Sequence, residues 1–219
     1  MISVEKAQSI ISNNIQPLGS ESILLKNAGN RVINQDITAH LPIPLFNNSA
    51  MDGFAVRSID TKGANKSSPI TLMMVGISSA GMPYDITLNP GECIQCMTGG
   101  KIPRGADSII IVEDSSGFSD SKTIQIFKEA KIGNHIRRQG EEIENGDVVI
   151  TRGTYITPCE IGVIATLGYD KVIVMKKPNA AILVTGNELI EPGQKLKQGQ
   201  IYNSNLHMLL DLCKKSGVN

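Results

Sequence analysis

Between Ser49 and Gly146 the chain is cut into short apolar or alternating runs, ITLMMVGI, ECIQCM, DSIIIVED and KTIQIF, by closely spaced clusters of Gly, Pro, Asn and Asp. That texture favours short strands joined by turns and predicts a small β-barrel or sandwich. The flanks read differently. Ser3 is placed to cap a helix in which Val4, Ala7, Ile10 and Ile11 recur at helical spacing, before Pro17 and Gly19 stop it. A second short helical or turn segment is expected around Ser22 to Ala28, then an extended piece from Arg31 to Ile37. LPIPLF, with two prolines in three residues, reads as an extended connector and a candidate domain boundary.

Past the strand-rich segment a helix start is well marked. Thr157 stands at the N-cap, Pro158 at the first helical position and Glu160 at the capping-box position, and Gly168 closes the helix. YDKVIVMKKP is a strand, and Ala180 to Val184 is expected to be a buried strand of the parallel-sheet type. It runs into Thr185-Gly186-Asn187-Glu188, a Gly/Pro-punctuated loop, and a helix starting near Asn203. Leu206, Leu209, Leu210 and Cys213 line one face of that helix, and Gly217 is its expected C-cap. A strand-loop-helix unit of this kind places ligands at the carboxyl end of its strand. One strand and one helix cannot bury the faces of a parallel sheet, so the chain reads as part of a longer protein.

Composition narrows the partners. Twenty-one basic and twenty-one acidic side chains cancel, with no long run of one sign, so nothing global favours nucleic acid or an anionic membrane. Any anion must be held locally. No stretch approaches the roughly 20 apolar residues of a membrane span, and MISVEKAQSII lacks the features of a secretory signal, which predicts a cytoplasmic protein. Cys93-Ile-Gln-Cys96 has redox or metal spacing, but it lies in a strand-like run, where positions three apart face opposite ways. With no second such pair and three histidines in unlike contexts, the four cysteines are expected to be ordinary half-buried thiols.

Four polar clusters follow apolar runs or sit in Gly-rich loops: Asn48 to Gly53, Met97 to Asp107, Arg137 to Glu142, and Thr185 to Glu188. Taken singly, Asp52-Gly53 is a turn, TGGKIPRGAD a loop, and Arg137 with Arg138 a solvated basic surface beside Glu141 and Glu142. Taken together they offer carboxylates for Mg²⁺, hydroxyls and backbone N–H groups for an anion, and paired arginines for phosphate or oxyanion contacts. That combination suits chemistry on a phosphoanhydride. No nucleophile elbow or Ser/His/Asp arrangement accompanies it.

The strings NSAMDGFAV at 48–56, MTGGKIPRGAD at 97–107, NHIRRQGEEI at 134–143, TGNEL at 185–189 and GQIYNSN at 199–205 resemble, in order, the molybdopterin molybdenumtransferase family, which includes bacterial MoeA and the C-terminal domain of gephyrin. The resemblance covers the whole chain. It implies a multi-domain α+β fold: an elongated helix/strand domain over 1–46 and 147–177, an inserted β-barrel-like domain over 47–146, and over 178–219 the start of an α/β, Rossmann-like pterin-binding domain. It implies that adenylylated molybdopterin and molybdate react, with Mg²⁺, to give molybdenum cofactor and AMP. Asp52, Thr98, Glu142 and Glu188 are then the catalytic positions, with Glu188 and Asp52 placing Mg²⁺ and Thr98 positioning an oxyanion. Arg137, Arg138, Ser49, Thr185 and Gly99 are the substrate and anion contacts. Glu142 stands where the family has Asp, and Asn187 replaces the Asp of TGDEL, which removes a charge. The family also implies a homodimer with sites shared between subunits, and as partners a molybdopterin adenylyltransferase and downstream molybdoenzyme chaperones. On its own the chain is expected to be inactive. Two other readings stay open, a gephyrin-like scaffold and a generic Mg²⁺-dependent nucleotide pyrophosphatase.

Overall fold

The computed structural model describes residues 2–119 and 121–219. In chain order its elements begin with α1 (Val4–Asn14), β1 (Ser20–Leu24), β2 (Ile37–Thr38), β3 (Asn48–Ser49), β4 (Gly53–Val56), β5 (Ile70–Ser78), β6 (Glu92–Cys96), β7 (Ser108–Ile111), β8 (Thr123–Ile126) and β9 (Ile136–Arg137). They continue with β10 (Val148–Ile150), α2 (Pro158–Thr166), β11 (Lys171–Met175), β12 (Leu189–Ile190), β13 (Ile201–Tyr202) and α3 (Ser204–Lys215). Two compact units result. Ala39–Asp147 forms one, and the segments on either side of it, up to Thr38 and from Val148, form the other. The boundary at 147/148 lies beside that expected at 146/147, whereas the one at 38/39 comes before that expected at 46/47 and takes LPIPLF into the Ala39–Asp147 unit. No helix among the described residues is long and apolar enough to cross a membrane.

In the Ala39–Asp147 unit five strands make one sheet in the order β7-β4-β6-β5-β8. β4 is its centre of gravity. Gly53, Phe54, Ala55 and Val56 are all buried, and they pair antiparallel with β6 on one side and β7 on the other. Side-chain alternation sorts the core into two layers. Phe54 and Val56 pack with Leu72, Cys93, Ile110, Ile124 and Ile126, whereas Ala55 packs with Leu88, Ile94, Cys96 and Ile109. The sheet curls back on itself. Beyond β7 a single turn of 3₁₀ helix, Val112–Asp114, leads to Ser115, which bridges to Ile126 of β8, the opposite edge strand. The Ser116 N–H donates to Gln125 O at 2.9 Å and the Phe127 N–H to Asp114 O at 2.9 Å, so two edges that would stand open satisfy each other.

The cysteine pair sits as strand geometry requires. Cys93 and Cys96 belong to opposite layers, which excludes a disulfide or a shared metal. Both are fully buried rather than half-buried; Cys159 is exposed and Cys213 intermediate. Burial pushes the Cys93 thiol up to about 12 and the Cys96 thiol up to about 11; at Cys96 a hydrogen bond with Ser49 opposes the rise and the Asp52 charge adds to it. A thiol reagent at pH 8 is therefore expected to modify Cys159 in the native protein, and Cys93 and Cys96 only after unfolding. Mass-spectrometric mapping of the modified residues checks this.

In the flanking unit the marked helix ends hold. The Ser3 side chain accepts the Lys6 N–H, and Thr157 and Glu160 form a complete capping box at α2. Two expectations are corrected. Of the helical or turn segment expected over Ser22 to Ala28, Leu25–Asn27 turns as 3₁₀ helix, but Ser22 to Leu24 belongs to the strand Ser20–Leu24, because β11 supplies a five-residue antiparallel ladder from Ser20↔Met175 to Leu24↔Lys171. Ala180 to Val184 is not a buried strand: none of the described residues pairs with it as a strand, and Leu183 is 89% exposed. A parallel-sheet strand depends on ladder hydrogen bonds to neighbouring strands, and without them its apolar residues stay in water. The parallel pairing that does occur joins β12 to β13, just before α3, whose N-cap is Asn203.

Candidate functional site

Three of the four polar clusters meet at β3. On one side Asn48 and Ser49 pair with Arg137 and Ile136 of β9, and the Ala50 N–H donates to His135 O at 2.9 Å. On the other side the Ser49 N–H donates to Gly100 O (3.0 Å), Gly99 N–H to Ser49 O (2.9 Å) and Ile102 N–H to Asn47 O (3.0 Å). Two residues of strand thus hold the NSAMDG, TGGK and HIRRQ strings side by side. Gly100 permits this approach, because a Cβ there would lie 2.6 Å from Ser78 O and 2.8 Å from Met97 O.

Asp52 occupies the turn between β3 and β4, exposed to solvent. Its Oδ1 accepts two hydrogen bonds from Thr98, from the backbone N–H at 2.7 Å and from the hydroxyl at 2.8 Å. These donors, the backbone one first, hold the Asp52 carboxyl below its ordinary value of 3.8. The carboxylate is the favoured form, so the stabilisation is present above the pKa of Asp in the unfolded chain and is lost as pH falls through the lowered folded value. Thr98→Val removes the hydroxyl donor and leaves the backbone one. The Asp52 midpoint is expected to rise part of the way back, as followed by NMR of its side-chain carbon.

The same bonds revise several expected roles. A carboxylate only accepts, so the Thr98 hydroxyl proton is committed to Asp52 and the hydroxyl presents lone pairs outward rather than a donor for an oxyanion. The N–H groups of Thr98, Gly99 and Gly100 are spent on Asp52, Ser49 and Met97. The loop is therefore not an open anion cradle, and Gly99, at φ +78, serves the turn. Ser49 is fully buried with its hydroxyl donating to Met51 O at 2.5 Å, a staple of the Asp52 turn rather than a ligand contact.

The arginines divide the work. Arg137 is engaged: Nη2 meets Glu142 Oε1, and Nε lies 3.6 Å from Glu141 Oε1. Both ends of the Arg137–Glu142 pair are half-exposed, so it contributes little stability but sets the direction of both side chains. The Arg138 guanidinium has no ion pair or hydrogen bond among the described residues, and its Nη2 lies over Gly133. Among the described residues Arg138 is thus open to meet an anion, as is Lys101, which bridges to Asn48 of β3.

Thr185 and Glu188 belong to the other unit, in the exposed segment before β12. The Glu188 carboxylate folds back over Gly186, 2.6 Å from where a Cβ on that glycine would stand. Among the described residues no three His, Cys, Asp or Glu side chains converge as a protein-only metal site needs. Mg²⁺ asks for less, since it keeps several waters and takes one or two carboxylates beside substrate phosphates. Asp52 fits that demand: Oδ1 is held by Thr98, and no hydrogen bond among the described residues reaches Oδ2.

Residues outside the predicted set complete the arrangement. Asn47 Oδ1 accepts the Gln139 N–H at 2.8 Å, and Gln139 Nε2 donates to Leu45 O at 3.0 Å. His135 turns the chain into β9 with φ +55, in the left-handed region. The Asn-rich NNSAMDG string was the available signal for Asn47, but no local pattern reveals a partner 92 positions away.

The MoeA N-terminal region (domain I and II) family model matches residues 2–168. Molybdopterin molybdenumtransferase 2 of Mycobacterium tuberculosis is 36% identical over 218 residues, covering 100% of this chain and 53% of that protein. Molybdopterin molybdenumtransferase of Staphylococcus aureus is 36% identical over 217 residues, covering 99% and 51%. Two crystal structures of the molybdopterin biosynthesis MoeA protein of Pyrococcus horikoshii share 31% identity and superpose over 100% of this chain, with TM-scores of 0.80 and 0.89, and the chain covers 56% and 58% of them. The chain spans about half the length of the curated relatives it matches, and with a match over its first 168 residues it belongs to the MoeA family.

Proposed function

We propose that this chain is part of a molybdopterin molybdenumtransferase, which takes molybdate and adenylylated molybdopterin to molybdenum cofactor and AMP. The observation that carries the reading is the Asp52–Thr98 pair held beside the Arg137–Glu142 segment by β3. The names of the relatives, molybdopterin molybdenumtransferases, support it.

In this reading Asp52 stays ionised, and its Oδ2, which no hydrogen bond among the described residues reaches, would hold Mg²⁺. When bound, Mg²⁺ supplies positive charge at the phosphoanhydride. Thr98 fixes the Asp52 carboxylate and presents its own lone pairs to a water or metal. Arg138 meets the oxyanion, and Arg137 with Glu142 keeps the neighbouring charges oriented. Glu188 belongs to the same chemistry in a homodimer, with the Glu188 region of one chain completing the Asp52 site of its partner. The parallel β12–β13 pair and α3 support the start of a Rossmann-like pterin-binding domain.

The test is cofactor formation from adenylylated molybdopterin, molybdate and Mg²⁺ by this 219-residue chain and by the full-length product of the same gene. Formation by the longer protein only is the expected result. Hydrolysis of ordinary nucleotide anhydrides without molybdate, or no product from either protein, would overturn the reading.

A further inference from the structure

We infer that Asn47 is a positioning residue of this site, fixing the backbone that carries Arg138 to the loop that carries Thr98; the inference rests on the function proposed above. The β3–β9 ladder pairs Ser49 with Ile136 and Asn48 with Arg137, so a continued register would bring Arg138 opposite Asn47. The chain instead turns. The Glu141 N–H donates to Arg138 O at 3.2 Å, the Gly140 N–H to Pro44 O at 3.1 Å, and the Arg138 N–H to Glu141 Oε2 at 2.8 Å. At that turn the Gln139 N–H has left the ladder, and Asn47 Oδ1 takes it at 2.8 Å, a side-chain oxygen standing in for a strand carbonyl.

The backbone of Asn47 faces the other loop, since its carbonyl accepts the Ile102 N–H at 3.0 Å. One residue therefore fastens the segment that carries Arg138 to the segment that carries Thr98. Gln139 reinforces the clasp through Nε2 to Leu45 O at 3.0 Å. Arg138 has no side-chain partner of its own among the described residues, so the backbone of its turn is the one fixed end from which its charge reaches. Small displacements of a binding group are costly, a shift of about 1 Å removing as much as 10²-fold in rate. Asn47 is exposed, and no hydrogen bond of its Nδ2 occurs among the described residues. Truncating it leaves Gln139 N–H to water and the fold intact, while Asn47→Asp keeps the acceptor and forfeits no hydrogen bond.

The experiment has two arms. Molybdate is titrated into the 219-residue chain by NMR, reading the Arg138 Nε–H resonance, and cofactor formation is measured in the full-length protein. Asn47→Ala is expected to weaken molybdate binding and to raise the KM for molybdate about tenfold with a smaller change in kcat. Asn47→Asp keeps the acceptor and with it the Gln139 amide shift, although its added charge opposes molybdate, and Asn47→Ala adds nothing to Arg138→Ala, since the first acts through the second. Wild-type molybdate affinity or KM in Asn47→Ala, a Gln139 amide shift in Asn47→Asp like that of Asn47→Ala, additivity with Arg138→Ala, or no molybdate response at Arg138 would each overturn the inference. Molybdate binding that depends on Asn47, in a protein that forms no cofactor, would uphold the positioning role and reject the proposed reaction instead.

Discussion

Gly53→Ala is expected to destabilise the Ala39–Asp147 unit by about 3 kcal/mol or more. Gly53 opens the interior strand β4, paired with Cys96 on one side and Ile111 on the other. A Cβ there would stand 2.0 Å from Ile110 O, 2.9 Å from Ile110 C and 3.0 Å from Ile111 Cα, all backbone atoms of β7. No rotamer relieves such an overlap; β4 and β7 must part, and Phe54 and Ile110 move with them. Gly117→Ala is the control. Gly117 has φ +81 and nothing within 4 Å of the new atom, so its cost is conformational alone, about 1–2 kcal/mol. Denaturant melts of the two variants separate steric from conformational cost. Equal losses would mean that the strands yield more easily than their hydrogen-bonded backbones suggest.

Asp52→Asn is expected to lower cofactor formation by the full-length protein roughly 10²–10³-fold, in the range found when a preorganised electrostatic group is removed. The amide oxygen still accepts from the Thr98 N–H and hydroxyl, so the turn is kept and the melting temperature should scarcely move. What disappears is the charge. If that charge serves Mg²⁺, part of the loss should return at high Mg²⁺, and Thr98→Ser, which keeps the hydroxyl donor, should stay near wild type. Undiminished turnover in Asp52→Asn would remove Asp52 from the chemistry.

Legibility in the sequence followed the range of the interactions. Both ends read from local cues were right, because Ser3 and the Thr157-Pro158-Cys159-Glu160 string act within one helical turn. Ser20–Leu24 was missed since its strand character comes from β11, and Ala180 to Val184 was misread since an apolar run does not say whether a neighbour exists. At the site, the strings around Asp52, Thr98 and Arg137 were visible as chemistry-bearing segments. That Ser49, Gly99 and the Thr98 proton are already committed was not visible, because the fold places their partners: backbone oxygens for Ser49 and Gly99, and the Asp52 carboxylate for Thr98. The same blindness hid the difference between Arg137, which is paired, and Arg138, which is not.

The convergence on β3 also has a kinetic consequence. Thr98 is 46 positions from Asp52 and Gln139 is 92 from Asn47, so the bonds that join one segment of the site to another close long loops. Loop closure of this kind must be met before the bonds return anything, which slows folding of strand-rich topologies and places their distant pairings late. No short peptide carrying NSAMDG should therefore show the lowered Asp52 midpoint. In stopped-flow refolding, Asp52 becomes a reporter of the last-formed part of its unit, its titration appearing with burial of the β4–β6–β7 core rather than ahead of it.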